Sequence, residues 1–94
     1  MISATIYGII PLMTQREKLR RSVEQNLKAV RSEDLDRLLQ AYGFARRSGK
    51  GSHHFYWRGE HRLVIPYRRP HLLPMYVKLA LEAIDRAEQE NDHD

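Results

Sequence analysis

The pattern of hydrophobic periods predicts an α+β domain, a two-layer sandwich in which helices cover one face of a three-stranded antiparallel sheet. Three observations carry this. Apolar residues recur at helical spacing before Gly43 and again after Pro74. Between them the period shortens to that of a strand, and aromatic and β-branched runs are separated by glycine-containing connections. Finally, 94 residues with 41% hydrophobic composition suffice for one modest core, which amphipathic elements build by turning their apolar sides to one another.

Each element has a local cause. Thr14-Gln15-Arg16-Glu17 has the form of a capping box and opens a helix, whose narrow stripe of Leu19, Val23, Leu27 and Val30 predicts helix to about residue 30. That stripe needs a partner, either a second copy or the sheet of the same chain. Ser32 is placed to cap a second helix, with Glu33 and Asp34 at its positive end, Leu35, Leu38, Leu39 and Tyr42 on one face, and Gly43 as its stop. Residues 44–48, 52–58 and 62–66 read as strands, with "GKG" as a loop and "GEH" as a hairpin connection. After the loop "YRRPHLL", Pro74 suits the first turn of a last helix with Val77, Ala80, Leu81, Ile84 and Ala87 on its apolar face. Residues 1–31 thus form an arm and an extra helix, 32–90 the main domain, and 91–94 an acidic tail expected to fray. In the arm, Ile2, Ala4 and Ile6 alternate with Ser3, Thr5 and Tyr7 as in a short strand, one able to join a sheet edge or pair with another subunit to make a homo-oligomer. Met13, immediately before the capping box, is an alternative start of the chain.

Composition narrows the chemistry. The chain has no cysteine, which excludes disulfides, thiolate metal sites and a cysteine nucleophile. The longest apolar passage, "MISATIYGIIPLM", is too short to span a bilayer and lacks a positive leader, so a soluble cytoplasmic protein is expected. The net charge is +4, but its distribution is uneven. Between Phe44 and His71 stand Arg46, Arg47, Lys50, Arg58, Arg62, Arg68 and Arg69 against Glu60 alone, whereas Arg86 is the only cation among the acids after Lys78. A basic middle segment draws polyanions such as a phosphate backbone, although charge by itself equally describes a solvated face.

Within that basic segment lies "GKGSHHFYW", residues 49–57. By the two-residue period of a strand, His53 and His54 point to opposite faces, so at most one of them meets a phosphate held by the glycine loop. Phe55 and Trp57 share one face, expected to be the core side because so small a domain has little else of that size to bury. Tyr56 lies opposite and, with Tyr67, is the expected contact for RNA bases. His53, His54, His61 and His71 lack metal-ligand spacing, so neither metal nor cofactor is expected. The residues alone leave His53 open between a structural role in a strand and chemistry.

A helix ending in Tyr42-Gly43-Phe44, a strand opening with Gly51-Ser52-His53-His54, a hairpin, Ile65-Pro66 and a last helix opening with Tyr76-Val77-Lys78 resembles the HicA family of bacterial toxins from type II toxin-antitoxin systems. The resemblance covers about residues 32–88. It implies a fold like that of double-stranded-RNA-binding domains (dsRBD-like), ordered helix-strand-strand-strand-helix, with an endoribonuclease activity on mRNA that a HicB-type antitoxin neutralises. The family's functional histidine follows the Gly-Ser pair, which is His53 here. Two departures stand out: residues 1–31 lie outside the family pattern, and Tyr67, Arg68 and Arg69 stand where many members carry a histidine, His71 being the nearest one downstream.

RNA supplies its own nucleophile, the 2′-hydroxyl, so cleavage requires a base, a cation for the crowded phosphate and an acid for the leaving 5′-oxygen. Imidazole, with an ordinary pKa of about 6.5, suits the first task without a metal. Lys50 and the free amides of Gly49, Gly51 and Ser52 are expected to cradle the phosphate, with Ser52 also orienting the loop, while Arg46, Arg47, Arg68 and Arg69 complete the RNA-binding set. Two other classes compete: a noncatalytic RNA-binding module of the same fold, and an interaction protein whose basic face meets an acidic partner.

Overall fold

A computed structural model describes residues 13–92; the strand expected near residues 2–7 and the last two residues of the tail lie outside them. The described chain is α+β: three α-helices and a three-stranded antiparallel sheet. Helix α1 spans Gln15–Gln25, opened by the expected box in which the Thr14 amide donates to Glu17 Oε1 at 2.8 Å and the Glu17 amide to Thr14 Oγ1 at 3.2 Å. It ends earlier than its stripe predicts, because Asn26 leaves helical backbone at φ −149° and a 3-10 turn, Leu27–Ala29, follows. The turn keeps Leu27 against the core and leaves Val30 buried, so the stripe survives the break. Helix α2 spans Ser32–Ala41, with Arg31 at the cap position expected for Ser32 and the Asp34 carboxylate accepting the Arg31 amide at 3.2 Å. Gly43, at φ +89°, ends it in the left-handed conformation that glycine alone adopts without cost.

The strands are β1 (Ala45–Ser48), β2 (His53–Arg58) and β3 (His61–Pro66), in spatial order β1-β2-β3. Helix α3 spans Pro74–Asp92, two residues into the stretch expected to fray. Leu38 and Leu39 of α2, Ile65 of β3, and Val77, Ala80 and Ile84 of α3 retain no exposed surface and form the core between the layers. Helix α1 joins the helix layer rather than crossing the sheet. Its Val23 enters the same core, and Arg20 reaches Asp85 of α3 at 2.7 Å while Arg16 reaches Glu88 at 3.4 Å, so the stripe finds its partner surface within the chain. The Asp85 hydrogen bond raises the Arg20 pKa further above its already high value, as expected for a guanidinium held by a carboxylate. No helix among the described residues is long and apolar enough to cross a membrane.

With all three helices on one side, the described residues leave the opposite face of the sheet bare. Which residues stand on it follows from the register, and this is what positions the site.

Candidate functional site

Strand β2 reverses the expected phase. Tyr56 is buried at 1% exposure, whereas Trp57 is 41% exposed. The register sets Arg47, Phe55 and Val64 side by side across the three strands, and likewise Ala45, Trp57 and Arg62. Phe55 and Trp57 therefore face outward with His53, and Tyr56 faces the helices with His54. The physical reason is that the helix side can satisfy polar tips. The Tyr56 hydroxyl donates to Asp36 Oδ1 at 2.7 Å and shares a 2.6 Å hydrogen bond with the Tyr67 hydroxyl. Arg58, two residues on, reaches Glu88 and the Tyr42 carbonyl, each at 2.7 Å. Tyr56 is thus a core residue and not a base contact, and burial followed by these two hydroxyl bonds pushes its pKa far up.

His53 opens β2, exposed, at the mouth of the turn formed by residues 49–52. The turn closes through the Gly49 amide, which donates to the His53 carbonyl at 2.8 Å, and the His53 amide, which donates to Lys50 O at 3.3 Å. The Gly49 amide is therefore spent within the turn, contrary to the expected phosphate cradle. The Gly51 and Ser52 amides make no such bond among the described residues. Gly51 sits at φ +63°, so the turn needs a glycine there. Gly49 is needed for a different reason: the Phe55 ring lies where a Cβ on Gly49 would stand. Ser52 orients the loop through its carbonyl, which accepts the Tyr67 amide at 2.7 Å.

That Ser52–Tyr67 bond ties the segment bearing Arg68 and Arg69 to the His53 turn. Lys50, Arg47, Arg68 and Arg69 are all exposed, and none takes part in an ion pair among the described residues. Arg46 is different. It stands on the helix face of β1, 3.5 Å from Asp36, and so lies across the sheet from His53. The exposed face also holds Phe55 and Trp57, expected in the core, and Arg62 and Val64, not expected at the site; with Arg47 they are among the residues lining a shallow groove of about 480 Å³. Alternation grouped Phe55 and Trp57 with His53, but the expectation that large aromatics are core put that set on the wrong face.

His54 stacks on Tyr67, with ring centroids 3.5 Å apart and planes at 21°, and its shielded Nδ1 has no hydrogen-bond partner among the described residues. Burial first, then the Arg46 charge and to a lesser degree His53, lowers its pKa below the ordinary histidine value against the opposing pull of Asp36. The unfolded chain, with its ordinary value of about 6.5, then binds this proton more readily, so the contribution is fully present above that pH and is lost as pH falls. His54→Phe, which preserves a ring for stacking, is expected to flatten the fall in urea midpoint between about pH 7.5 and pH 5.5. An unchanged pH dependence would remove His54 as its source.

The other described histidines, His61 and His71, stand apart. His61 begins β3 with Nε2 2.9 Å from Glu90 Oε2 of α3. His71 lies half-buried in the loop before α3, and no hydrogen bond joins it to His53 among the described residues. No cluster of three or more metal-ligating side chains occurs among the described residues. Comparison of the chain with protein-family models, with curated proteins and with solved structures returned no match.

Proposed function

We propose that this chain is a metal-independent endoribonuclease that cleaves mRNA in the cytoplasm as the toxin of a toxin-antitoxin pair, with His53 as general base. The observation that carries this is an exposed histidine, His53, on the same sheet face as Arg47 and beside the turn that bears Lys50 and the Gly51 and Ser52 amides. Among the described residues the two cations have no ion-pair partner and the two amides no backbone acceptor. In this reading the cations and amides bind the phosphate, and the neutral imidazole takes the 2′-hydroxyl proton. The 2′-oxygen then attacks phosphorus, the bond to the 5′-oxygen breaks, and the products are a 2′,3′-cyclic phosphate and a 5′-hydroxyl. In this reading the leaving oxygen takes its proton from solvent, to which the exposed His53 is open.

The order α2-β1-β2-β3-α3 supports the dsRBD-like assignment for residues 32–90, with α1 as an addition in the helix layer. The same cationic, exposed face suits a HicB-type antitoxin bearing acidic groups, which would inhibit by covering His53. A second reading, a noncatalytic RNA-binding module, is favoured because no side chain among the described residues is hydrogen-bonded to the His53 ring to orient it as a base.

The two readings separate on one gel. End-labelled single-stranded RNA and its all-deoxy counterpart, each incubated with the protein in EDTA, are expected to behave differently: the RNA is cut to cyclic-phosphate ends and the deoxy strand stays intact. RNA that is bound but remains whole assigns the chain to the binding module. Cleavage that vanishes in EDTA and returns with a divalent cation would sink the metal-independent mechanism.

A further inference from the structure

The geometry points to a nucleobase-stacking site on the bare sheet face, in which Phe55 and Trp57 each take one unstacked base of single-stranded RNA next to the phosphate held at His53. The inference rests on the ribonuclease reading for the identity of its ligand, and on the following geometry for its placement.

His53, Phe55 and Trp57 alternate along β2 on one face, so neighbouring side chains stand about 6.6 Å apart, and each can meet a separate base of a splayed strand. Exposure favours a ligand there. Trp57 at 41% and Val64 at 40% leave apolar surface in the groove uncovered by the described residues; Leu73, Met75 and Leu79 are exposed as well, but they stand in or just before α3 and bring no aromatic ring. Charge identifies the kind of ligand. On the helix face, Arg46 and Arg58 are neutralised by Asp36 and Glu88. On the bare face, Arg47 and Arg62 flank the aromatic pair, and neither has an ion-pair partner among the described residues. The Arg47 guanidinium instead lies 5.6 Å from the Phe55 ring centroid, where it can cover a stacked base and reach a phosphate. Flat π-surfaces beside free guanidinium groups match a ligand that alternates bases with phosphates. A duplex does not fit, since its bases are already stacked on one another and its phosphates alone would meet this face.

Trp57 is the chain's single tryptophan, so its fluorescence reports on this site alone. The His53→Ala protein, which leaves the groove intact, is titrated with an unstructured eight-nucleotide RNA and with a blunt RNA duplex. The expected result is quenching of Trp57 emission by the single strand and much weaker quenching by the duplex at equal nucleotide concentration. Fluorescence anisotropy of a labelled strand is expected to show Trp57→Ala binding at least about fivefold more weakly, with Trp57→Phe keeping most of the affinity. Circular dichroism verifies that these surface variants fold.

RNA binding that leaves Trp57 emission unchanged, together with wild-type affinity in Trp57→Ala, would overturn the stacking site while leaving cleavage at His53 intact. Quenching by an acidic peptide such as polyglutamate but not by RNA would also overturn it, in favour of a protein partner. Quenching by RNA with affinity lost in Trp57→Ala, but no cleavage by the wild-type protein, would uphold the stacking site and reject the ribonuclease reading.

Discussion

For the ribonuclease proposed above, His53→Ala is expected to lower the rate of RNA cleavage by about 10²- to 10⁴-fold, the range that a positioned general base supplies. The loss should appear with little change in fold, because His53 is exposed and its ring makes no hydrogen bond among the described residues. RNA affinity should also persist, since Lys50, Arg47 and the turn amides remain. Two measurements make this specific to proton transfer: the melting temperature of the variant, expected to match wild type, and the cleavage rate with added imidazole, expected to recover in part as a free base enters the space left by the ring. A variant that cuts at the wild-type rate would move the base elsewhere in the chain. A variant with no activity, no imidazole rescue and a lowered melting temperature would make His53 a structural residue.

Tyr56→Ala should produce the largest loss of stability. The ring is nearly fully buried at 1% exposure, and its hydroxyl holds Asp36 of α2 and Tyr67 after β3 in one hydrogen-bonded chain. Truncating a buried aromatic to alanine costs about 3–5 kcal/mol, from lost transfer energy and the cavity left behind. A small domain has only about 5–15 kcal/mol in total, so the variant should be unfolded or close to it at 37 °C. Tyr56→Phe keeps the ring and removes only the hydroxyl, for an expected loss of about 1–3 kcal/mol. The smaller figure is the better guide, because Asp36 keeps Gln40 as a donor at 3.0 Å and Arg46 at 3.5 Å. Urea unfolding of both variants tests the assignment. If Tyr56→Ala shifts stability by less than ~1 kcal/mol, Tyr56 is not the anchor between sheet and helices that its burial implies.

How much of this was legible beforehand differs from element to element. The Thr14–Glu17 box, the Gly43 stop, the three strand segments and the Pro74 start are written in local chemistry, because caps and turns need particular side chains and backbone freedom within a few residues. The early end of α1 was less visible. Its stripe continues through Leu27 and Val30, and only the backbone break at Asn26 turns the chain into α2 while keeping both residues at the core.

The candidate site divides in the same way. Alternation along residues 53–58 was sufficient to separate His53, Phe55 and Trp57 from His54, Tyr56 and Arg58, since a strand sends successive side chains to opposite faces. It carried no information on which set faces the helices. Size favoured Phe55 and Trp57 as the core, yet the tertiary structure chose Tyr56, because Asp36, Tyr67, Glu88 and the Tyr42 carbonyl stand across the interface to satisfy the polar tips of that set. The same choice divided two adjacent arginines, sending Arg46 to Asp36 and leaving Arg47 beside Phe55. Periodicity along one strand determined the two faces; the hydrogen-bond partners that the helices bring to one of them determined which face is the core and which stays open.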